Sequence, residues 1–299
     1  MGLTKIEWCD ETANPIVGCS KCSPGCDNCY AEKFAARLAK NPNPKIAAKY
    51  AGVVDERGRW TGRINCDWSG RRYGPMQGLR ISVPGRMVFL GSMCDLFHEN
   101  VPEDKHREIF MGLGCMSHHR FRLLTKRPHM ARARLGDLLA DPYYSHVGLG
   151  VTVCNKAELG KLDILRSIPA ALRFISFEPL LEGLGEINLD GIGWVIAGGE
   201  TGAKARPMHP DWVRSIRNQC AAAGIPFFFK GWGKWGYQCQ VTCNPDELVD
   251  ARRELIVKPD GSVTSGLLDY GHRAVIMRKA AFHKAGRLLD GREHNERVW

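Results

Sequence analysis

The sequence predicts an α/β fold, a complete or partial (β/α) barrel, and three observations carry that expectation. Short apolar runs recur from Arg86 onward, separated by helical stretches. The residues after each run are polar or Gly-rich, as the C-terminal ends of parallel barrel strands are. No linker of Pro, Ser or Gly divides the 299 residues, so one domain is expected over 1–299.

The first strand is expected before the cysteine-rich loop, around Ile6–Trp8 or Pro15–Val17. After that loop, Tyr30 to Leu38 is Ala-rich and amphipathic, a helix that ends before the breaker Asn41-Pro42-Asn43-Pro44. A Gly- and Arg-rich stretch follows, read as an irregular insertion at about 40–85 with one short helix. Strands are then expected at Met87–Leu90, Phe121–Leu124, Val147–Val151, Phe174–Phe177, Trp194–Ala197 and Pro226–Phe229. With the first strand the count is about seven. A C-terminal extension occupies about 237–299.

Charge and cysteine content narrow the function. Lys and Arg number 42 against 32 Asp and Glu, a net charge of +10 that suits a polyanionic partner. Twelve Cys in a long chain without a secretory signal or membrane run imply reduced thiols and a cytoplasmic setting. Four of them, Cys19, Cys22, Cys26 and Cys29, fall within eleven residues beside Pro24 and Gly25. Thiolates so close converge on one metal centre, whereas buried structural Cys has no reason to cluster. Zinc takes four thiolates, but its structural sites usually join two knuckles across a longer spacer. An iron–sulfur cluster held by three leaves one iron open. Cys22-x3-Cys26-x2-Cys29 has the spacing of radical S-adenosylmethionine enzymes, and Cys19-x6-Cys26-x2-Cys29 competes for the same site. Redox-active thiols are a third use of such a loop.

The segments after the expected strands are Gly91-Ser-Met-Cys-Asp95, Thr125-Lys-Arg-Pro128, Thr152-Val-Cys154, Glu178-Pro179, Gly198-Gly-Glu200 and Lys230-Gly-Trp-Gly233. Turn and cap chemistry accounts for any one of them alone. Six in the same position mark a barrel mouth.

Several stretches carry a resemblance: Lys5-Ile-Glu-Trp8, Asn14-Pro15, Gly18-Cys19, Ser23-Pro-Gly-Cys26, Cys29-Tyr-Ala-Glu32, Asp95-Leu-Phe-His98, Leu124-Thr-Lys-Arg-Pro128, Glu178-Pro-Leu180, Gly198-Gly-Glu200, Ala205-Arg-Pro-Met-His-Pro210, Phe228-Phe-Lys230 and Leu288-Leu-Asp-Gly-Arg292. Over nearly its whole length the chain resembles a phage- and prophage-associated radical S-adenosylmethionine family, similar to the isomerases of thymidine hypermodification. That family has a cysteine at Cys19 and usually none at Cys22. The resemblance therefore implies Cys19, Cys26 and Cys29 as ligands of a [4Fe–4S] cluster, with Cys22 as the alternative to Cys19.

The resemblance also implies S-adenosylmethionine as cofactor and DNA carrying amino-acid-modified thymidine as substrate. An electron donor such as a flavodoxin and the cytoplasm of an infected bacterial host complete the setting, with no membrane partner. The implied reaction moves an amino acid, glycine in the best-known scheme, from an N-linked to a Cα-linked attachment on the thymine 5-methylene carbon through a 5′-deoxyadenosyl radical. Ser92 and Asp95 are expected to hold the cofactor's amino group, with Thr152, Glu178, Gly198, Gly199 and Glu200 as further cofactor contacts. Lys126, Arg127 and Lys230 suit a substrate carboxylate or phosphate, and Trp232 a flipped base. Lys126 and Glu200 are also counted as catalytic candidates, with Cys94 and Cys154 as hydrogen-atom donors.

Other residues read more simply. His98, His118 and His119 lack partners at ligand spacing, and Cys239 and Cys243 are too few for a second cluster without Cys220. Arg71, Arg72, Arg132, Arg134, Arg252, Arg253, Arg278 and Lys279 are candidate phosphate contacts. Two other classes compete: a radical lyase repairing DNA damage, and a zinc-stabilised nucleic-acid-binding module without catalysis.

Overall fold

The computed structural model describes residues 2–66, 85–240, 254–264, 273–280 and 285–299, which pack as two compact units. One unit holds Met1–Thr152, Gly160–Phe174 and Trp299, and the other Val153–Leu159 and Ile175–Val298. Arg71, Arg72, Cys243, Arg252 and Arg253 lie outside the described residues.

In the first unit the strands follow chain order: β1 (Gly2–Leu3), β2 (Glu11–Ala13), β3 (Met87–Leu90), β4 (Arg120–Thr125) and β5 (Val147–Thr152). β1 pairs antiparallel with β2, and the pairs β2–β3, β3–β4 and β4–β5 are parallel. Every residue of β3 and β5 is buried, which is why both read as unbroken apolar runs rather than as alternation. α1 (Tyr30–Leu38) and α2 (Pro44–Lys49) follow β2. α3 (Glu103–Gly114) connects β3 to β4, and α4 (Pro128–Leu135) follows β4 with Pro at its first turn. α3 has Glu103 and Asp104 in its first turn and buries His106, Ile109, Phe110 and Leu113, one helical stripe. α5 (Lys161–Arg166) precedes β6 (Leu172–Phe177), a strand that the two units share.

In the second unit β7 (Trp194–Gly198) is parallel to β8 (Phe227–Gly231), with α6 (Pro210–Ala222) between them in sequence. The His209 side chain caps α6 by accepting from the Asp211 N–H at 3.1 Å. Parallel strands in chain order, alternating with helices, give the connectivity of a partial (β/α) barrel. β2 to β8 match the expected count of seven.

The first strand departs from expectation. Trp8 lies in a turn, closed by the Cys9 N–H donating to the Ile6 carbonyl, and Pro15–Val17 runs on into the loop. The strand itself is Glu-Thr-Ala, in which Ala13 alone is buried, so no apolar run marks it. The C-terminal extension, expected from about 237, opens with a strand at Trp235. It forms a four-stranded antiparallel sheet of β9 (Trp235–Gln240), β10 (Glu254–Val257), β11 (Val263–Thr264) and β12 (Val275–Lys279), in the order β11-β10-β12-β9. Among the described residues no helix is long and apolar enough to cross a membrane.

His106 packs between Phe97 and Phe110, with ring centroids 5.4 and 4.7 Å away, and among the described residues its Nε2 has no hydrogen-bond partner. Burial, helped by the Arg134 charge, lowers its pKa to about 4. The folded state keeps this ring neutral while the unfolded chain protonates it near the ordinary value of 6.5. Stability is therefore lost as pH falls from 6.5 towards 4. At pH 5 this one ring should cost about 2 kcal/mol relative to pH 7. Urea unfolding at the two pH values should show the loss, and His106→Leu should reduce it by roughly that amount.

Candidate cofactor site at the cysteine loop

The loop from β2 to α1 carries four thiols and is held by its own backbone. Ser23 Oγ accepts from the Gly25 N–H, capping the short 3-10 turn Pro24–Cys26, and the Cys29 N–H donates to the Cys26 carbonyl at 3.3 Å. Val17 exchanges two backbone hydrogen bonds with Asn65, and the Gly62 N–H donates to the Cys19 carbonyl. Residues 44–65 of the expected irregular insertion thus return to brace the loop, and Tyr50 and Val53 join Val17, Ala31, Ala35 and Met93 in one apolar cluster. Gly18 is required here. Its φ is +109°, and a Cβ would stand 2.1 Å from the Arg63 carbonyl oxygen.

The thiols differ in environment. Cys26 is buried, Cys19 and Cys29 are partly covered, and Cys22 is exposed. The Cys22 thiol donates to Cys26, pulling Cys26 down to about 5 and holding Cys22 protonated. Burial pushes Cys19 up to about 12, reinforced by the Asp95 carboxylate and opposed by the Arg127 guanidinium.

Arg127 organises this region. It is 2% exposed, and each guanidinium nitrogen faces a partner. Nε donates to both Glu99 carboxylate oxygens at 3.0 and 3.1 Å, and Nη2 donates to the Ser20 carbonyl and hydroxyl at 3.0 and 2.8 Å. Nη1 lies 3.8 Å from Cys19 Sγ and 3.5 Å from Asp95 Oδ2. Burial works against its charge, and Asp95, ahead of the thiols and Glu99, more than offsets that. Asp95 in turn accepts from the Thr125 hydroxyl at 2.7 Å, the Lys126 N–H at 2.9 Å and the Phe97 N–H at 3.0 Å. His98 completes the brace. Its Nδ1 accepts from the Asn100 N–H, so Nε2 carries the proton and donates to Ser20 Oγ at 2.8 Å.

Two expectations change on this geometry. Arg127 was expected to meet a substrate carboxylate or phosphate, but its donors are committed to the loop and the strand ends, so it is a clamp. Asp95 was expected to hold a cofactor amino group, but both its oxygens already accept from the scaffold. Ser92, the other strand-end residue, is placed by Asn14, whose Nδ2 donates to Ser92 Oγ at 3.0 Å, while its carbonyl accepts from Tyr30. The Lys126 side chain is partly exposed, and its charge helps hold Cys26 down. Cys94 is partly covered, and desolvation of its thiol, reinforced by nearby Cys19, raises it well above its ordinary value. Thr152 is buried at the end of β5. Sequence reasoning missed Asn14, Ser20 and Glu99. Asn14 lies in Asn14-Pro15 and Glu99 directly follows Asp95-Leu-Phe-His98, but nothing in a sequence pairs them with Ser92 and Arg127.

The second unit gathers the remaining expected residues. Lys230 Nζ pairs with Glu178 Oε1 at 3.0 Å, and Glu178 Oε2 accepts from Ser176. Cys154 is fully buried, with its thiol 4.0 Å from the Glu178 carbonyl. Gly198 and Gly199 are there for close approach: a Cβ would meet Glu178 Oε1 at 2.8 Å or the Trp232 carbonyl oxygen at 2.2 Å. Glu200 is buried and held by Arg206 through Nη2 at 2.6 Å and Nε at 3.0 Å. Trp232 departs from expectation. It is 5% exposed, its indole donates to the Leu288 carbonyl, and Phe229 and Tyr237 pack around it, so no face is open to a flipped base. Arg132 and Arg134 also bind carbonyls of the chain rather than standing free for phosphate.

Among the described residues no group of three or more His, Cys, Asp and Glu is set to hold a metal. The donor chemistry of the loop nonetheless fits a thiolate-bound centre: soft sulfur ligands on a braced loop, one already drawn to its thiolate, with Arg127 and Lys126 as compensating cations.

Asp95→Ala should cost about 3–5 kcal/mol, because it leaves Arg127 buried beside orphaned donors; urea unfolding of purified protein measures it. Gly199→Ala should destabilise by about 1–3 kcal/mol through overpacking against Trp232, read as a lowered thermal midpoint.

No curated protein and no solved structure matches the chain. One family model matches residues 3–297, nearly the whole sequence. The chain therefore belongs to the DUF5131 family, described as proteins of unknown function.

Proposed function

We propose that this protein is a radical S-adenosylmethionine enzyme acting on DNA that carries an amino acid, glycine first among them, attached to the thymine 5-methylene carbon. The observation that carries the reading is the four-thiol loop leaving β2 and clamped by Arg127 to the C-terminal ends of β3 and β4. In a parallel α/β sheet that edge is where chemistry is sited. Cys19, Cys26 and Cys29 would hold a [4Fe–4S] cluster, with Cys22 as the alternative to Cys19.

With the cluster and S-adenosylmethionine bound, the centre supplies a 5′-deoxyadenosyl radical once an external donor such as a flavodoxin delivers one electron. The chain's own contribution is to hold and shield. Arg127 fixes Cys19 and Ser20 in register with the strand ends, and Ser92, oriented by Asn14, offers an oxygen to the cofactor's amino group. Lys126 presents a cation for the glycyl carboxylate. Thr152, at the end of β5 in the same unit as the loop, is a further polar contact for the cofactor. Partly covered Cys94 and buried Cys154 are the candidate thiols for returning a hydrogen atom. The net reaction moves glycine from its nitrogen to its α-carbon with no change in mass.

Anaerobic purification and iron–sulfide reconstitution should give a brown protein that cleaves S-adenosylmethionine when reduced. Cys26→Ala and Cys29→Ala should abolish both properties, and comparing Cys19→Ala with Cys22→Ala identifies the third ligand. Incubation with DNA containing N-linked glycyl-thymidine should yield a nucleoside of equal mass and new retention. A colourless protein holding zinc through all four loop cysteines would replace this reading with the binding module.

A further inference from the structure

We propose that the exposed face of α1 is a docking surface for a single-stranded or locally opened segment of DNA, adjoining the cysteine loop. This rests on the reading above that DNA is the substrate, and it names the element that grips the strand beside the target nucleotide.

The sizes of the residues on α1 are reversed from those of an ordinary surface helix. It buries Ala31 and Ala35 and exposes Tyr30 and Phe34, at 52% and 41%, one turn apart on the solvent side. Core burial therefore does not account for the Phe34 ring. The acidic residue of α1 is turned inward: Glu32 is buried, accepting from the Trp60 N–H at 2.8 Å and lying 3.7 Å from the Lys21 ammonium. The charges left outside on the helix and just beyond it are Lys33, Arg37 and Lys40, all exposed, and Lys45 follows. No Asp or Glu occurs between Lys33 and Val54. Asp27, in the loop before the helix, is an exposed carboxylate that these cations outnumber.

Arg37 already lies over the Phe34 ring, 5.1 Å from its centroid, so a flat cation and a flat ring form one platform. Alternating aromatic and cationic side chains along about 10 Å of helix suit a strand in which phosphates and unstacked bases alternate. Charge complementarity calls for a polyanion, and the rings select one with π-faces to stack. The Tyr30 hydroxyl donates to the Ser92 carbonyl at 2.9 Å, which ties this face to the strand end proposed for the cofactor.

The test is fluorescence anisotropy of a labelled, unmodified oligothymidylate with the full-length holoprotein, without reductant or S-adenosylmethionine. Phe34→Ala should weaken binding about ten-fold, with Phe34→Trp restoring it. Replacing Lys33 and Arg37 together with Ser should lower the slope of log affinity against log salt by about 1.4, two phosphate contacts on a single strand. Thermal midpoints should match wild type, since these side chains are exposed. Unchanged affinity in Phe34→Ala, or an unchanged salt slope in the double variant, overturns the proposal, as does a surface that instead captures an acidic protein while ignoring the oligonucleotide. Failure of the radical reading shows separately, in a colourless wild-type protein that does not cleave S-adenosylmethionine.

Discussion

The ion pairing of Arg127 is the interaction on which the cysteine loop depends. A guanidinium this deeply buried is tolerable only where it is neutralised and hydrogen-bonded on all sides, and Asp95, Glu99 and Ser20 provide that. The same contacts join three segments distant in sequence: the loop after β2, the turn after β3 and the turn after β4. A residue that looks like a ligand-binding cation is consumed in holding the site together. Lysine cannot replace it, because only the planar fork reaches a thiol, a carbonyl, a hydroxyl and two carboxylates at once.

A similar economy of charge holds in the second unit. Buried Glu200 is clamped by Arg206, and partly covered Glu178 is paired with Lys230, so both carboxylates come with a counter-ion. The glycines beside them are fixed by contact. Gly198 and Gly199 leave no room for a methyl group against Glu178 and the Trp232 backbone.

Much of the fold was legible in the sequence because the strands are buried on both faces. Met87–Leu90 is found with the same ends, and the other five expected runs fall within or one residue beside their strands, since full burial demands a continuous apolar stretch. The helix Tyr30–Leu38 was equally plain. β2 was not, because a three-residue strand with one buried alanine leaves no pattern. The C-terminal sheet went unrecognised as well. Its short strands draw their stability from antiparallel partners far along the chain rather than from local periodicity.

At the site, the sequence by itself determined the thiol loop and the polar character of each strand end, because spacing and alternation are local properties. Tertiary structure alone decided which of those polar groups remain for chemistry. Arg127, Asp95 and Trp232 all read as binding residues, and each is spent on the fold, since a buried charge or indole must find its partner wherever the chain brings one. The inverted helix is the converse case. The amphipathic pattern of Tyr30–Leu38 predicts a helix, but only packing shows that its alanines face inward and its aromatic rings face the solvent. Periodicity fixes that a helix has two faces, and the neighbours it packs against decide which one is buried.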